Sequence, residues 1–249
     1  MIKLTIATAL AAMASLVSFA VYGQDLSNAL SRSVGVEISY DFKTFSGGGV
    51  WLGNGEVLSA SHIFMDAKSL TDPIFVVTHG KKYKATPIFH GNPPHNDLIL
   101  LKIDAALVPD FLTKAPAPQV CDEFEPVGAQ LYVTAREVIY NTYASPYGAV
   151  TYKGKTWATS TTAMLSHGVS GSPVYDTETS CLAGIVSLGE WRPIGNVADP
   201  KRLECEIATL QLRDSGDGIT CAAETKSVFM TADVIRVFLK AAKEYQRTH

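Results

Sequence analysis

From Val34 to Met230 the chain is a succession of short apolar runs set between turn signals, and this spacing limits its fold more than any other feature. Runs of four to eight residues bounded by Gly, Pro, Asn and Asp suit strands, being too short for amphipathic helices. Val34 to Tyr40 alternates. Gly49 to Leu52 and Val57-Leu58 flank Asn54-Gly55, a pair suited to a hairpin turn with positive φ at both central residues. Ile74 to Thr78, Tyr83 to Phe89 and Leu98 to Ile103 continue the pattern. It resumes beyond the Pro-punctuated stretch Lys114 to Gln119, with Gln130 to Ala135, Val138 to Tyr143, Ala149 to Tyr152, Val174-Tyr175, Leu182 to Leu188 and Ser227 to Met230.

The two ends read differently. Residues 1–23 have the form of an export signal: Lys3, an apolar stretch from Leu4 to Val17, then small residues, with cleavage after Ala20 or Gly23. An uncleaved anchor is the alternative, although the stretch is near the lower limit for a span. At the other end, Val234, Phe238, Ala241 and Tyr245 form one apolar helical face, with Ile235, Leu239 and Ala242 beside it. Thr231 is placed to cap that helix, and Asp233 suits its positive end. The expected organisation is a signal at 1–23, a first β unit at 24–113, a connector at 114–126, and a second β unit with a terminal helix at 127–249.

Composition narrows the partners. The 21 Lys and Arg against 24 Asp and Glu give a formal net charge of −3, with no basic run, so neither nucleic acid nor an anionic membrane surface is an expected partner. After signal removal a soluble monomer, secreted or periplasmic, is expected. Four cysteines in an oxidising compartment suggest two disulfides. Three pairings are open; Cys205–Cys221 closes a polar local segment, and Cys121–Cys181 would follow from it. No cysteine pair has metal-ligand spacing, and His90 and His95 lack an evident third ligand, so no metal and no cofactor are expected.

The chemistry is concentrated at Gly168-Val169-Ser170-Gly171-Ser172-Pro173. A match to G-x-S-G-x-P arises by chance in roughly 0.5% of chains this long, at average residue frequencies. Glycines on both sides allow a sharp turn that exposes a serine, and the N–H groups of Gly168 and Ser170 can converge on an oxyanion. A serine needs a base. His62 ends the strand-like run Val57 to Ser61, and Asp97 stands at the mouth of the buried run Leu98 to Ile103. The order His, Asp, Ser is one of several in which such triads occur, and differs from those of subtilisins and α/β-hydrolases.

These segments together resemble the trypsin-like serine proteases of the chymotrypsin fold, in a secreted bacterial form. Ser46 to Val50 and Leu58 to His62 resemble the family's glycine strand and TAAH segment. Asn96 to Leu101 resembles its DLALL strand, Gly168 to Pro173 its GDSGGP loop, and Gly184 to Gly189 its GIVSWG strand. The resemblance implies an all-β chain of two antiparallel six-stranded β-barrels with a C-terminal α-helix. It implies a serine endopeptidase acting on proteins or peptides, with His62, Asp97 and Ser170 as triad and Gly168 and Ser170 as oxyanion donors. By the same resemblance Ser187 supports Asp97, while Met164, Ser187, Leu188, Gly189 and Ser227 meet substrate. Two departures matter: Val169 replaces the Asp that holds a newly cut N-terminus in digestive members, and Glu190 to Lys226 is long. Ser59 and Ser61 replace the commoner Thr and Ala, which looks harmless. The competing functions are a non-catalytic module binding a protein partner through the same cleft, and an esterase for small substrates.

Overall fold

The structure, a computed structural model, describes residues 26–40, 43–64, 72–91, 96–124, 128–135, 138–144, 150–152, 155–157, 159–161, 165, 168–193 and 223–248. The signal-like segment, His95, Met164, Cys205 and Cys221 lie outside them.

Six strands close an antiparallel barrel in the order β1-β2-β3-β6-β5-β4: β1 Ser33–Tyr40, β2 Lys43–Gly53, β3 Glu56–Ser59, β4 Ile74–Thr78, β5 Lys81–His90 and β6 Ile99–Ile103. The predicted hairpin forms at Asn54-Gly55, whose φ values of 52° and 80° turn β2 into β3. β2 starts six residues before the predicted run. Its glycines carry no strand propensity, but they pair in register with β1, Gly49 opposite Val34 and Gly47 opposite Val36.

The second unit is a six-stranded antiparallel sheet in the order β11-β14-β13-β12-β7-β8. Its strands are β7 Gln130–Ala135, β8 Val138–Tyr143, β11 Thr159–Ser160, β12 Pro173–Asp176, β13 Leu182–Pro193 and β14 Ala223–Thr231. Its edges meet at one antiparallel bridge, Ala144 to Thr161, so the sheet curls toward closure without the continuous pairing of the first barrel. A separate hairpin joins β9 Val150–Tyr152 to β10 Lys155–Trp157. Neither β10 nor β11 is evident in the sequence, because two or three residues rich in Thr, Ser and Lys show no alternation.

Period-two alternation explains where the core sits. On β6, Ile99, Leu101 and Ile103 fill the first barrel with Val34, Val36, Ile38, Trp51 and Val57. Leu98 and Leu100, of opposite parity, join a separate cluster with Tyr132, Tyr175, Ile185 and Met230 of the second sheet. A third cluster, with Leu131, Val133, Val174 and Val186, lies within that sheet. Leu98 to Leu101 is an unbroken apolar run because both of its faces are buried.

Two straps cross between the units. Residues 26–32 are helical and place Ala29 in the middle cluster, after which Ser33 donates its hydroxyl to the Thr134 carbonyl at 3.1 Å. The terminal helix Ala232–Thr248 forms as predicted, but its buried stripe is Ala232, Ile235, Phe238 and Ala242. Tyr245, placed on the apolar face by the sequence pattern, stays exposed at its rim against Phe89 of β5. Phe238 meets Phe89 as well, with ring centroids 5.1 Å apart, so this helix packs on the first barrel as well as the second sheet. Cys121 and Cys181, 60 residues apart in sequence, are joined in a disulfide, one of the pairings the sequence left open; Cys205–Cys221 lies outside the described residues. Beside the Cys121–Cys181 bond Val120 and Leu182 form a parallel bridge.

Phe238 is fully buried between the units. Phe238→Ala is expected to lower unfolding free energy by about 3–5 kcal/mol, as large-to-small core substitutions do. Val237→Ala, on the exposed side of the same helix, should change it by less than about 0.5 kcal/mol. Urea denaturation of both variants checks the pair.

Candidate active site

The first barrel brings His62 and Asp97 together. β3 ends at Ser59, and a short 3-10 turn, Ser61–Phe64, follows it with His62 at its second position. Asp97 precedes β6, which pairs with β3 so that Ser59 lies opposite Ile99. The turn and the start of β6 are thus neighbours across one ladder. His62 Nδ1–H donates to Asp97 Oδ2 at 2.7 Å; an ionised carboxylate only accepts, which fixes the tautomer and leaves Nε2 with a free lone pair. The histidine side chain is 26% exposed and the aspartate 2%, so the ring is partly open while its partner is sealed.

Sealing a carboxylate from water is costly unless donors replace the water. Asp97 Oδ1 accepts the His62 main-chain N–H and the Ser61 hydroxyl, each at 2.8 Å. Oδ2 accepts from His62 Nδ1 and from the Ser187 hydroxyl. Burial pushes the Asp97 carboxyl up; the hydrogen bond and charge of His62, with the hydroxyls of Ser187 and Ser61, outweigh it and hold the group below its ordinary 3.8. Ser187 belongs to β13 of the second sheet, so the shell around Asp97 spans both units.

Ser170 comes from the second unit, on the turn before β12. Its carbonyl accepts the Gly48 N–H of β2 at 2.6 Å, which ties this turn to the first barrel. Gly47 packs against both the Ser170 carbonyl and the Ile63 side chain, next to His62; a side chain there would overlap both. Within the turn, Ser172 N–H donates to the Val169 carbonyl at 2.9 Å and Gly171 N–H to the Val186 carbonyl at 2.7 Å. Gly171 has φ of 84°, and a Cβ there would overlap the Gly48 carbonyl and the Ser59 hydroxyl, so only glycine fits. Ser59 Oγ itself donates to the Gly48 carbonyl at 2.7 Å. Gly168 is also at positive φ, which favours glycine there. Val169 is buried among Leu165, Val133, Val174 and Val186, so its place in this turn is filled by apolar packing.

Of the residues expected to meet substrate, Ser227 of β14 lies opposite Gly189 across the β13–β14 ladder and is buried. Its hydroxyl accepts the Leu165 N–H at 2.9 Å, which pins the segment next to Met164 against β14. Leu188 and Gly189 follow Ser187 on β13. Met164 and His167 lie outside the described residues. No three of His, Cys, Asp and Glu gather as a metal site among the described residues. The sequence pattern missed one member of this cluster, Ser61. A serine directly before the histidine is its only signal, and a hydroxyl at that position is not informative without the fold.

Residues 47–185 match the sequence profile described as the trypsin-like peptidase domain, a span that includes His62, Asp97 and Ser170. No curated protein matches the chain by sequence. Among solved structures, the Rv3671c protease from M. tuberculosis in its active form is similar, with TM-score 0.57 and 17% identity over 87% of this chain and 82% of that one. An inactive form of the same protease gives TM-score 0.53 and 15% identity over 88% and 92%. At such identities the likeness is one of fold. The profile match is the stronger finding because it covers more than half of the chain, and by it the chain belongs to the trypsin-like peptidase family.

Proposed function

We propose that the protein is a serine endopeptidase whose triad is His62, Asp97 and Ser170, acting on protein or peptide substrates outside the cytoplasm. The observation that carries this is the 2.7 Å hydrogen bond from His62 Nδ1 to a buried carboxylate, beside a serine turn held to the same barrel by Gly48. Such a histidine commits Nδ1 to the carboxylate, which leaves Nε2 to take a proton and supplies a counter-charge for the imidazolium. Ser170 Oγ adds to the carbonyl carbon of the scissile bond while its proton passes to His62 Nε2. The N–H groups of Gly168 and Ser170 stabilise the oxyanion. Collapse expels the amine, which takes the proton from His62 and leaves an acyl-enzyme. Water, deprotonated by His62, then releases the acid and restores Ser170.

Ser187, Leu188 and Gly189 are the proposed edge on which the substrate backbone pairs as an added strand. Met164 and Ser227 are the proposed base of the primary pocket. The bond from Leu165 N–H to Ser227 Oγ supports a pocket filled at its base by that hydroxyl rather than opened by a glycine. The disulfide supports export by way of the signal-like segment.

Ser170→Ala is expected to reduce turnover by about 10⁴-fold or more while folding and substrate binding persist. Activity above a few per cent of wild type in a clean preparation would overturn the triad. A fluorophosphonate probe should label Ser170; a module that only binds a partner would stay unlabelled. Because Val169 is held by apolar packing, chains beginning at Val21, at Gln24 or with added residues should share one specific activity. A strong dependence on one N-terminus contradicts this. Cleavage should follow small or medium apolar residues such as Ala, Val, Leu or Met, with weak discrimination, since a methylene is worth about 1–3 kcal/mol. A peptide library checks it, and a dominant preference for Arg or Lys would overturn the pocket while leaving the triad.

A further inference from the structure

We propose that Ser61 is a positioning residue of the triad, whose hydroxyl completes the hydrogen-bond shell of Asp97 and thereby fixes the carboxylate against His62 and moderates its pull on the imidazole. It rests on the triad reading above and goes further, because the segment resembled by Leu58 to His62 more commonly has Ala where Ser61 stands. The sequence gives no reason to regard the replacement as more than harmless. The geometry does.

Ser61 opens the 3-10 turn that carries His62 and is itself buried. Its hydroxyl donates to Asp97 Oδ1 at 2.8 Å, and its main-chain N–H reaches the Asp97 carbonyl at 3.4 Å. The adjacent His62 N–H donates to the same Oδ1 at 2.8 Å. Oδ2 takes the other two donors, His62 Nδ1 and Ser187 Oγ. A carboxylate offers about four lone-pair sites, and these four donors fill them. Without the Ser61 hydroxyl, Oδ1 would keep the His62 main-chain N–H as its donor.

Two physical consequences follow. The torsion that turns a carboxylate about its Cβ–Cγ bond is soft in itself. With Oδ1 held by two donors from consecutive residues, rotation must break both bonds, so the Oδ2 lone pair stays aligned with Nδ1–H. The second consequence is electrostatic. Charge shared with a hydroxyl is charge not exerted on the ring. Among the described groups that act on Asp97, His62 is the titratable one; the rest are the Ser61 and Ser187 hydroxyls and a main-chain amide. Removing the Ser61 donor therefore strengthens the hold of the carboxylate on the protonated ring.

The test is the pH profile of kcat/KM on a cleaved peptide, with active sites titrated by a fluorophosphonate. In Ser61→Ala, kcat should fall about tenfold with KM within about twofold, since the missing bond is to a charged group. The acid limb should move up by about half a pH unit. Ser61→Cys, close in size but a weak donor, should shift the limb in the same direction, and it serves if the alanine variant does not fold. An unchanged kcat and an unmoved acid limb, whatever happens to Tm, would show that Ser61 is merely structural and overturn the proposal. Failure of the triad itself is distinct: it would appear as turnover surviving in Ser170→Ala.

Discussion

A carboxylate sealed from water inside a protein must find its solvation in the fold, and Asp97 finds it in donors from two separate units. Three of its four hydrogen bonds come from the turn at Ser61 and His62; the fourth comes from Ser187 on the second sheet. The Ser61 and His62 donors follow the end of β3, whereas Ser187 sits at an irregularity within β13. The ladder between β3 and β6 sets the distance from the turn to Asp97, and β13 presents Ser187 across the interface. The Ser187 hydroxyl is therefore a polar tie between the two units, made to a charged group.

The apolar layer between the units works in the same direction. Leu98 and Leu100 lean outward from the first barrel onto Tyr132, Tyr175 and Ile185, while their neighbours Ile99 and Leu101 fill the barrel itself. One strand therefore serves two cores and carries Asp97 at its mouth. Residues of the second sheet and the helix residues Ile235 and Phe238 complete the layer. The position of the carboxylate is consequently an outcome of packing on both sides of β6.

Much of this is legible in the sequence, for stated physical reasons. Strands buried on one or both faces leave a period-two or continuous apolar trace, so β1, β4, β7 and β8 can be read nearly residue for residue. The Asn54-Gly55 turn has a stereochemical signature. The serine turn is legible because its glycines are forced: Gly171 has no room for a side chain. What escapes has no local signature. The early part of β2 is polar and glycine-rich and becomes a strand only by pairing with β1. β11 is two residues held by Phe229 and Val228 of β14. The buried stripe of the terminal helix, Ala232, Ile235, Phe238 and Ala242, lies a little around the helix from the stripe read from periodicity, because the surfaces it packs on belong to strands far along the chain, which no local pattern encodes. Ser61 gains its meaning from Asp97, 36 residues away.

The contacts that join the two units are distant along the chain: 90 residues separate Ser187 from Asp97, and 101 separate Ser33 from Thr134. Non-local pairings of this kind must wait for large loops to close, and chains rich in them fold slowly. With only its first barrel formed, the molecule would hold His62 and Asp97 without Ser170 and Ser187; with only the second sheet formed, it would hold Ser170 and Ser187 alone. The full set of residues therefore comes together only as the final long-range contacts lock.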